Sequence, residues 1–147
     1  MGKYRKLTHT VYKCEYHIVW VPKYRYRILT GEIGRQVESD IRMICEWKDV
    51  EIEALSVQPD HVHLMCSIPP RISVSDFMGI LKGKTAIKMF KRNTELKRKP
   101  YWGNHFWARG YFVSTIGLDE DKIRRYVQYQ EEEEKKNESE SKDFTLF

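Results

Sequence analysis

The amino-acid sequence predicts an α+β fold, because strand-like and helix-like patterns alternate along its 147 residues. Alternating apolar positions typical of strands run from 11 to 21 and from 106 to 115. Between them, apolar residues recur at intervals of three and four, which is typical of amphipathic helices. The length fits one compact domain, and 41% hydrophobic residues are enough to fill its core.

The elements follow one another in a simple order. Residues 11–21 predict a strand that Pro22 ends, and residues 32–48 predict a helix after a turn at Gly31. Residues 50–57 and 61–68 predict two strands, which the tight turn Pro59-Asp60 joins in an antiparallel hairpin. Residues 73–92 predict a second helix with Ser73 or Ser75 as its N-cap. Its predicted apolar side consists of Phe77, Ile80, Leu81, Ile87 and Phe90.

Residues 106–115 then predict a fourth strand, and a third helix is predicted to begin at Asp119 and run through Gln130. This order is the split βαβ, ferredoxin-like (RRM-like) arrangement: a four-stranded antiparallel sheet with its helices mainly on one face and one extra C-terminal helix. We therefore expect one folded domain over residues 1–130 and an acidic, partly disordered tail over residues 131–147.

Charge is distributed unevenly along the chain. The formal net charge is +5, and it becomes +9 for residues 1–130 when the acidic tail is left out. A folded domain with this positive net charge favours a polyanionic partner, although a basic surface that is only solvated would have the same net charge. No apolar stretch approaches the roughly 20 residues of a membrane span, and the N-terminus lacks a signal-peptide core, so we expect a cytoplasmic protein without membrane contact. Three cysteines without CxxC spacing are expected to be reduced core residues.

Two histidines of the third strand form a candidate ligand pair. Side chains alternate between strand faces, so Val62, Leu64 and Cys66 should face the core while His61 and His63 share the other face. Two imidazoles roughly 6.5–7 Å apart at the backbone can converge on one cation, but a pair of exposed histidines has the same spacing. His9, His17 and His105 show no ligand spacing, and without a further His, Cys or carboxylate, Mg²⁺ or Mn²⁺ is favoured over zinc.

Tyr126 and Gln130 form a second candidate pair on the last helix. Residues four apart share a helix face, whereas Tyr129 lies about 100° away from Gln130. A tyrosine oxygen can attack a phosphodiester when a cation neutralises the phosphate oxygens. The side chains of His61, His63 and Gln130 could hold that cation. The alternative is that Tyr126 is a semi-buried aromatic residue of an amphipathic helix.

Five segments of the chain resemble those of the single-tyrosine HUH transposases, the IS200-like group of insertion sequences. They are HIVWVPKYR (17–25), PDHVHL (59–64), LKGKTA (81–86), WARGYFVSTIG (107–117) and YVQYQ (126–130). The resemblance implies that His61, His63 and Gln130 bind a catalytic Mg²⁺ or Mn²⁺. It also implies that Tyr126 cleaves single-stranded DNA, leaving a 5′-phosphotyrosine link and a free 3′-OH, and that Gly117 lies at a hinge.

The same resemblance implies partners. Members work as obligate homodimers in which the tyrosine helix of one subunit completes the HUH site of the other, and they bind imperfect DNA hairpins at the ends of the element. For this chain, candidate phosphate contacts on the second helix are Lys82, Lys84, Lys88, Lys91 and Arg92, unless that face is simply solvated. Trp102, Trp107 and Tyr111 are candidates for stacking on bases, or for a place in the core or sheet.

Two alternatives remain at this stage. A domesticated nuclease that processes genomic hairpins would use the same residues as a mobile-element transposase, so the sequence does not separate them. An RRM-like RNA-binding module is suggested by RGYFV (109–113), but it would leave His61, His63 and Gln130 without a role.

Overall fold

The structure is a computed structural model that describes residues 4–7, 9–98, 105–116 and 136, with residues 97 and 98 described by their backbone alone. Its elements, in chain order, are β1 (Arg5–Lys6), β2 (Val11–Tyr12), β3 (Glu15–Trp20), α1 (Gly31–Trp47), β4 (Glu51–Gln58), β5 (His61–Ser67), α2 (Val74–Arg92), α3 (Glu95–Arg98) and β6 (Phe112–Thr115). A short 3-10 turn spans Lys23–Arg25. None of the described helices is long and apolar enough to cross a membrane.

The chain divides into two compact units. One comprises residues 1–13 and 116–147, and its described residues include the small hairpin of β1 and β2, in which Arg5 lies opposite Tyr12. The other comprises residues 14–115 and holds a four-stranded sheet with the order β4-β5-β3-β6. Every neighbouring pair in that sheet is antiparallel, as the predicted α+β, split βαβ fold requires.

The core lies between one face of this sheet and the helices α1 and α2. Side chains at even positions of β5 face it, since Val62, Leu64 and Cys66 are fully buried, which confirms the predicted alternation. Burial raises the pKa values of the Cys45 and Cys66 thiols to about 12. These two cysteines are therefore protonated core residues, as expected. The expectation is wrong for Cys14, which is only half-buried because it lies between β2 and β3 rather than on the core face of a strand.

The two predicted helices that lie within the described residues form, and local signals explain where they begin. α1 begins at Gly31, whose φ of +53° suits a residue without a Cβ. α2 is capped by Ser73, whose Oγ accepts a hydrogen bond from the Asp76 amide at 3.0 Å. The predicted apolar side of α2 is wrong at Ile87, which is 68% exposed because it lies about 120° around the helix from Leu81.

Two predicted strands are shorter than expected. The strand 11–21 is divided into β2 and β3, which belong to different sheets. The strand 106–115 is reduced to β6, because Gly110 adopts a φ of +77° and the chain before it forms only an isolated bridge between Trp107 and Pro22. The predicted third helix, from Asp119 to Gln130, lies outside the described residues, as does the acidic tail except for Lys136.

Candidate functional site

His61 and His63 lie on β5, on the sheet face opposite the buried row. Both are half-buried, and His63 is paired with Val19 of β3 and Ser56 of β4. The central position of β5 in the sheet fixes the backbone of both histidines on two sides. The structure thus places the two imidazoles on one rigid surface, as the alternation predicted.

A carboxylate orients the first of these histidines. The Nδ1–H of His61 donates a hydrogen bond to Oδ1 of Asp60 at 2.9 Å, and Arg25 donates to Oδ2 of the same carboxylate at 3.0 Å. The hydrogen bond from His61, followed by that from Arg25, lowers the pKa of Asp60 from its ordinary value. In the neutral ring, donation from Nδ1 leaves the lone pair on Nε2 of His61, which is the arrangement of a metal-binding histidine with a carboxylate behind it.

His17 is the neighbour of the second histidine. Its Nδ1 lies 3.1 Å from Nε2 of His63, with ring centroids 5.3 Å apart, so one ring donates a hydrogen bond to the other. Sequence reasoning missed this contact because it considered spacing within one segment. The available signal was the alternation of side chains along β3, which places His17 on the same face of the sheet as His63. The register between β3 and β5 then brings the two rings together.

These donors fit part of a divalent-ion site. Two imidazole nitrogens with a fixed tautomer at His61 suit Mn²⁺ or another first-row ion, and they suit Mg²⁺ less well unless oxygen ligands join them. Within residues 4–7, 9–98, 105–116 and 136, the structure brings together no group of three or more His, Cys, Asp or Glu side chains able to hold a metal ion. Further ligands for such an ion would be oxygen donors of other kinds, such as an amide, a hydroxyl, water or a substrate phosphate, or residues outside the described part of the chain.

The remaining residues predicted for catalysis belong to the C-terminal part of the chain. Tyr126, Gln130, the second tyrosine Tyr129 and the hinge residue Gly117 all lie outside the described residues. Their roles stay predictions.

The basic residues of α2 differ in their surroundings. The ammonium of Lys82 donates to the carbonyls of Ala108 and Gly110, both at 2.8 Å, and burial lowers its pKa. The guanidinium of Arg92 makes two hydrogen bonds, of 2.8 and 3.0 Å, to the buried carboxylate of Asp40. By contrast, Lys84 and Lys91 are exposed and Lys88 is half-buried, so these three side chains present charge along one side of α2.

Two of the aromatic candidates have a described position. Trp107 is buried, donates its Nε1–H to Oγ1 of Thr85 at 2.8 Å and packs edge-on against Trp20. It is therefore a core residue. Tyr111 is 36% exposed just before β6, and Trp102 lies outside the described residues.

Comparison with known protein families gives a match to the family described as "Transposase IS200 like" over residues 10–130. The transposase for insertion sequence element IS200 of Salmonella typhimurium is 45% identical over 138 residues, which cover 94% of this chain and 90% of that protein. The ISDra2 transposase TnpA of Deinococcus radiodurans is 35% identical over 125 residues, which cover 84% of this chain and 89% of that protein.

Solved structures agree with these matches. A crystal structure from Deinococcus radiodurans R1, assigned as a transposase, superposes with a TM-score of 0.70 at 35% identity and covers 87% of this chain and 96% of its own. A REP-associated tyrosine transposase bound to a REP hairpin has a TM-score of 0.54 at 21% identity, covering 88% of this chain and 70% of its own, and shows the shared fold. With the family match spanning most of its length, the chain belongs to the IS200-like transposase family.

Proposed function

We propose that this chain cleaves and rejoins single-stranded DNA at hairpin-marked ends of an insertion sequence, through a tyrosine–DNA intermediate. In the proposed reaction the phenol oxygen of Tyr126 attacks a backbone phosphorus, and the bond from that phosphorus to the 3′ oxygen breaks. The phenol gives up its proton to water as it attacks, and the departing oxygen takes one proton from water to become a free 3′-OH, while the 5′-phosphate stays on tyrosine. Rejoining reverses these bonds with another 3′-OH, so no ATP is needed.

The observation that carries the proposal is the arrangement around His61. Its Nδ1–H is held by Asp60, which Arg25 holds in turn, while His63 stands on the same face two residues further along β5. Surface histidines with no binding role do not require such support. In metal sites, by contrast, a carboxylate behind the ligating histidine fixes its orientation and raises its basicity.

The metal proposed for this site is Mg²⁺ or Mn²⁺, bound by His61, His63 and the side-chain oxygen of Gln130. When bound, it supplies positive charge to the non-bridging oxygens of the phosphate under attack. The role of His17 is to hold the His63 ring through the 3.1 Å contact between Nδ1 and Nε2. Asp60 and His17 are thus positioning residues, and each of them acts on one of the two ligands.

The DNA partner and the homodimer belong to the same proposal. The hairpin bound to the REP-associated neighbour supports a hairpin substrate for this chain, and the exposed lysines of α2, Lys84 and Lys91, provide charge for its phosphates. A composite site, in which Tyr126 of one subunit meets the histidines of the other, would account for the two separate groups of catalytic residues. Lys82 and Arg92 also remain candidate phosphate contacts, although each already has a partner within the chain.

The test is formation of a covalent adduct. Purified protein is incubated with a labelled single strand that carries a hairpin from the DNA flanking its gene, with Mg²⁺ or Mn²⁺, and the products are separated under denaturing conditions. The wild type and Tyr129→Phe should form an adduct, whereas Tyr126→Phe should not. His61→Ala and His63→Ala should lose cleavage and keep hairpin binding, because neither side chain is part of the core.

Mixing variants tests the composite site. If Tyr126 acts across the dimer, a mixture of Tyr126→Phe and His63→Ala subunits regains cleavage, since one site then combines intact histidines with an intact tyrosine. If it acts within one subunit, the mixture stays inactive. An adduct formed by Tyr126→Phe alone would refute the assignment of the nucleophile. Paired hairpins flanking the gene would favour a mobile element over the domesticated alternative.

A further inference from the structure

A hollow of about 320 Å³ lies beside the segment that leads from β3 to α1. It is lined by Lys23, Tyr24, His105, Trp107, Ala108 and Arg109. This volume falls at the lower end of the range for small-molecule sites, roughly 300–1,000 Å³. The hollow contains neither of the two histidines of the candidate metal site.

The walls of the hollow are held by hydrogen bonds from three parts of the chain. The Lys23 amide donates to the Phe106 carbonyl at 3.0 Å, and the Ala108 amide donates to the Val21 carbonyl at 2.9 Å. Lys82 of α2 fastens the far side through the carbonyls of Ala108 and Gly110. A site braced in this way loses little freedom when a ligand enters, which favours binding.

The backbone at the mouth of the hollow is strained. Tyr24 and Arg25 are consecutive residues with φ values of 56° and 55°, a conformation that residues with a Cβ rarely adopt. The side chain of Tyr24 is nevertheless 69% exposed, with the edge-on ring of Tyr26 5.7 Å away between centroids. Backbone strain of this kind is concentrated at functional sites, and here it occurs at an exposed aromatic ring.

The chemistry of the lining selects one class of ligand. The described residues around the hollow include the basic side chains of Lys23 and Arg109, and no carboxylate. The ammonium of Lys23 lies 5.5 Å from the centre of the Tyr24 ring, so positive charge and an aromatic face are adjacent. An unpaired nucleotide has the complementary pair of features, since its base can stack on a ring while its phosphate meets a cation.

We infer that this hollow binds one unpaired nucleotide of single-stranded DNA, with its base against Tyr24 and its phosphate between Lys23 and Arg109. The inference rests on the proposed function in taking DNA as the partner. It adds a binding site separate from the histidine pair. Arg25 connects the two places, because it follows Tyr24 in the chain and binds the carboxylate that orients His61.

Two probes of equal charge separate stacking from charge attraction: a short oligothymidine and an abasic oligonucleotide of the same length. Binding is measured by fluorescence anisotropy with EDTA present, so that no cleavage occurs. The wild type should prefer oligothymidine by about tenfold, the order that one base–aromatic stack contributes. Tyr24→Leu should lose this preference, and Tyr24→Phe should keep it because the ring remains.

The cations should behave differently from the ring. Lys23→Gln and Arg109→Gln should weaken the binding of both probes to the same extent. Each should also reduce the slope of log affinity against log salt concentration by about 0.7. Arg42→Gln is the matched control, since it removes one exposed charge from α1, outside the lining of the hollow, and should alter the affinity for oligothymidine little. Circular dichroism checks that every variant is folded.

Several results would overturn the inference. They are equal wild-type binding of the two probes, an unchanged preference in Tyr24→Leu, and tighter binding of oligouridine than of oligothymidine. Failure of the Tyr126 adduct assay would refute the proposed reaction but would leave these binding results as they are. The two proposals are therefore tested separately.

Discussion

Removal of the Arg92 guanidinium should cost stability, because its partner is a buried charge. Only 3% of the Asp40 side chain is exposed, whereas 40% of the Arg92 side chain is. Breaking a buried pair from one side costs about 3–5 kcal/mol when the remaining charge stays buried. The partial exposure of Arg92 lets some water reach the carboxylate, so we expect about 3 kcal/mol for Arg92→Met, which keeps an apolar stem in place.

The opposite change should cost less. In Asp40→Asn the remaining charge is the guanidinium, which can turn towards water, so we expect about 1 kcal/mol. Urea unfolding followed by tryptophan fluorescence measures both losses, and the larger one corresponds to a fall of about 10 °C in Tm. Arg42→Met is the control: its exposed pair with Glu38, at 3.8 Å, should contribute less than about 1 kcal/mol.

Two results would refute this reasoning. One is a free energy of unfolding for Arg92→Met that lies within about 0.5 kcal/mol of the wild-type value. The other is a larger loss of that free energy in Asp40→Asn than in Arg92→Met. A hairpin-binding measurement on the folded protein then decides between the two roles of Arg92. Lost affinity with unchanged stability would favour the predicted phosphate contact, whereas lost stability with unchanged affinity favours the structural role.

Three further predictions concern other contacts. His17→Phe keeps a ring of similar shape but loses both nitrogens, and should weaken Mn²⁺ binding about tenfold in electron paramagnetic resonance titrations while the Tm changes little; unaltered binding would contradict a positioning role. Lys82→Met removes two hydrogen bonds and should speed amide hydrogen exchange at residues 108–110, with a stability loss of about 1–2 kcal/mol; unchanged exchange would contradict its bracing role. The pKa values of Cys45 and Cys66 are about 12 in the folded protein, against the ordinary 9.0, so the thiols of the unfolded chain lose their protons first. The free energy of unfolding should therefore fall as the pH rises from about 9 towards 12, by up to about 1.4 kcal/mol per pH unit for each thiol. Urea unfolding at pH 8, 9 and 10 measures this slope, and a flat profile would contradict it.

The parts of the fold that the sequence predicted correctly depend on local signals. The periodicity of α1 and α2, the Ser73 cap and the turn at Pro59-Asp60 each lie within a few neighbouring residues. For the same reason, alternation within β5 was enough to place His61 and His63 on the face away from the core. Such features need no knowledge of distant contacts.

The features that the sequence did not predict depend on partners far along the chain. Asp40 was not expected in the core, since its partner Arg92 is 52 residues away. The contact of His17 with His63 spans 46 residues and follows from the register of two strands. The shortened β6 depends on a glycine turn and on carbonyls that Lys82 holds from α2. In each case the deciding interaction is one that periodicity within a segment does not encode.

The two strained residues Tyr24 and Arg25 are neighbours in the chain, but their side chains face different partners. Tyr24 lines the hollow while Arg25, the next residue, donates to the carboxylate behind His61. If the strain serves both purposes, the two side chains should separate in function: Tyr24→Leu should alter oligonucleotide preference and leave Mn²⁺ affinity unchanged, and Arg25→Gln should do the reverse. Loss of both properties in either variant would instead mean that the segment acts only by keeping the neighbouring chain folded.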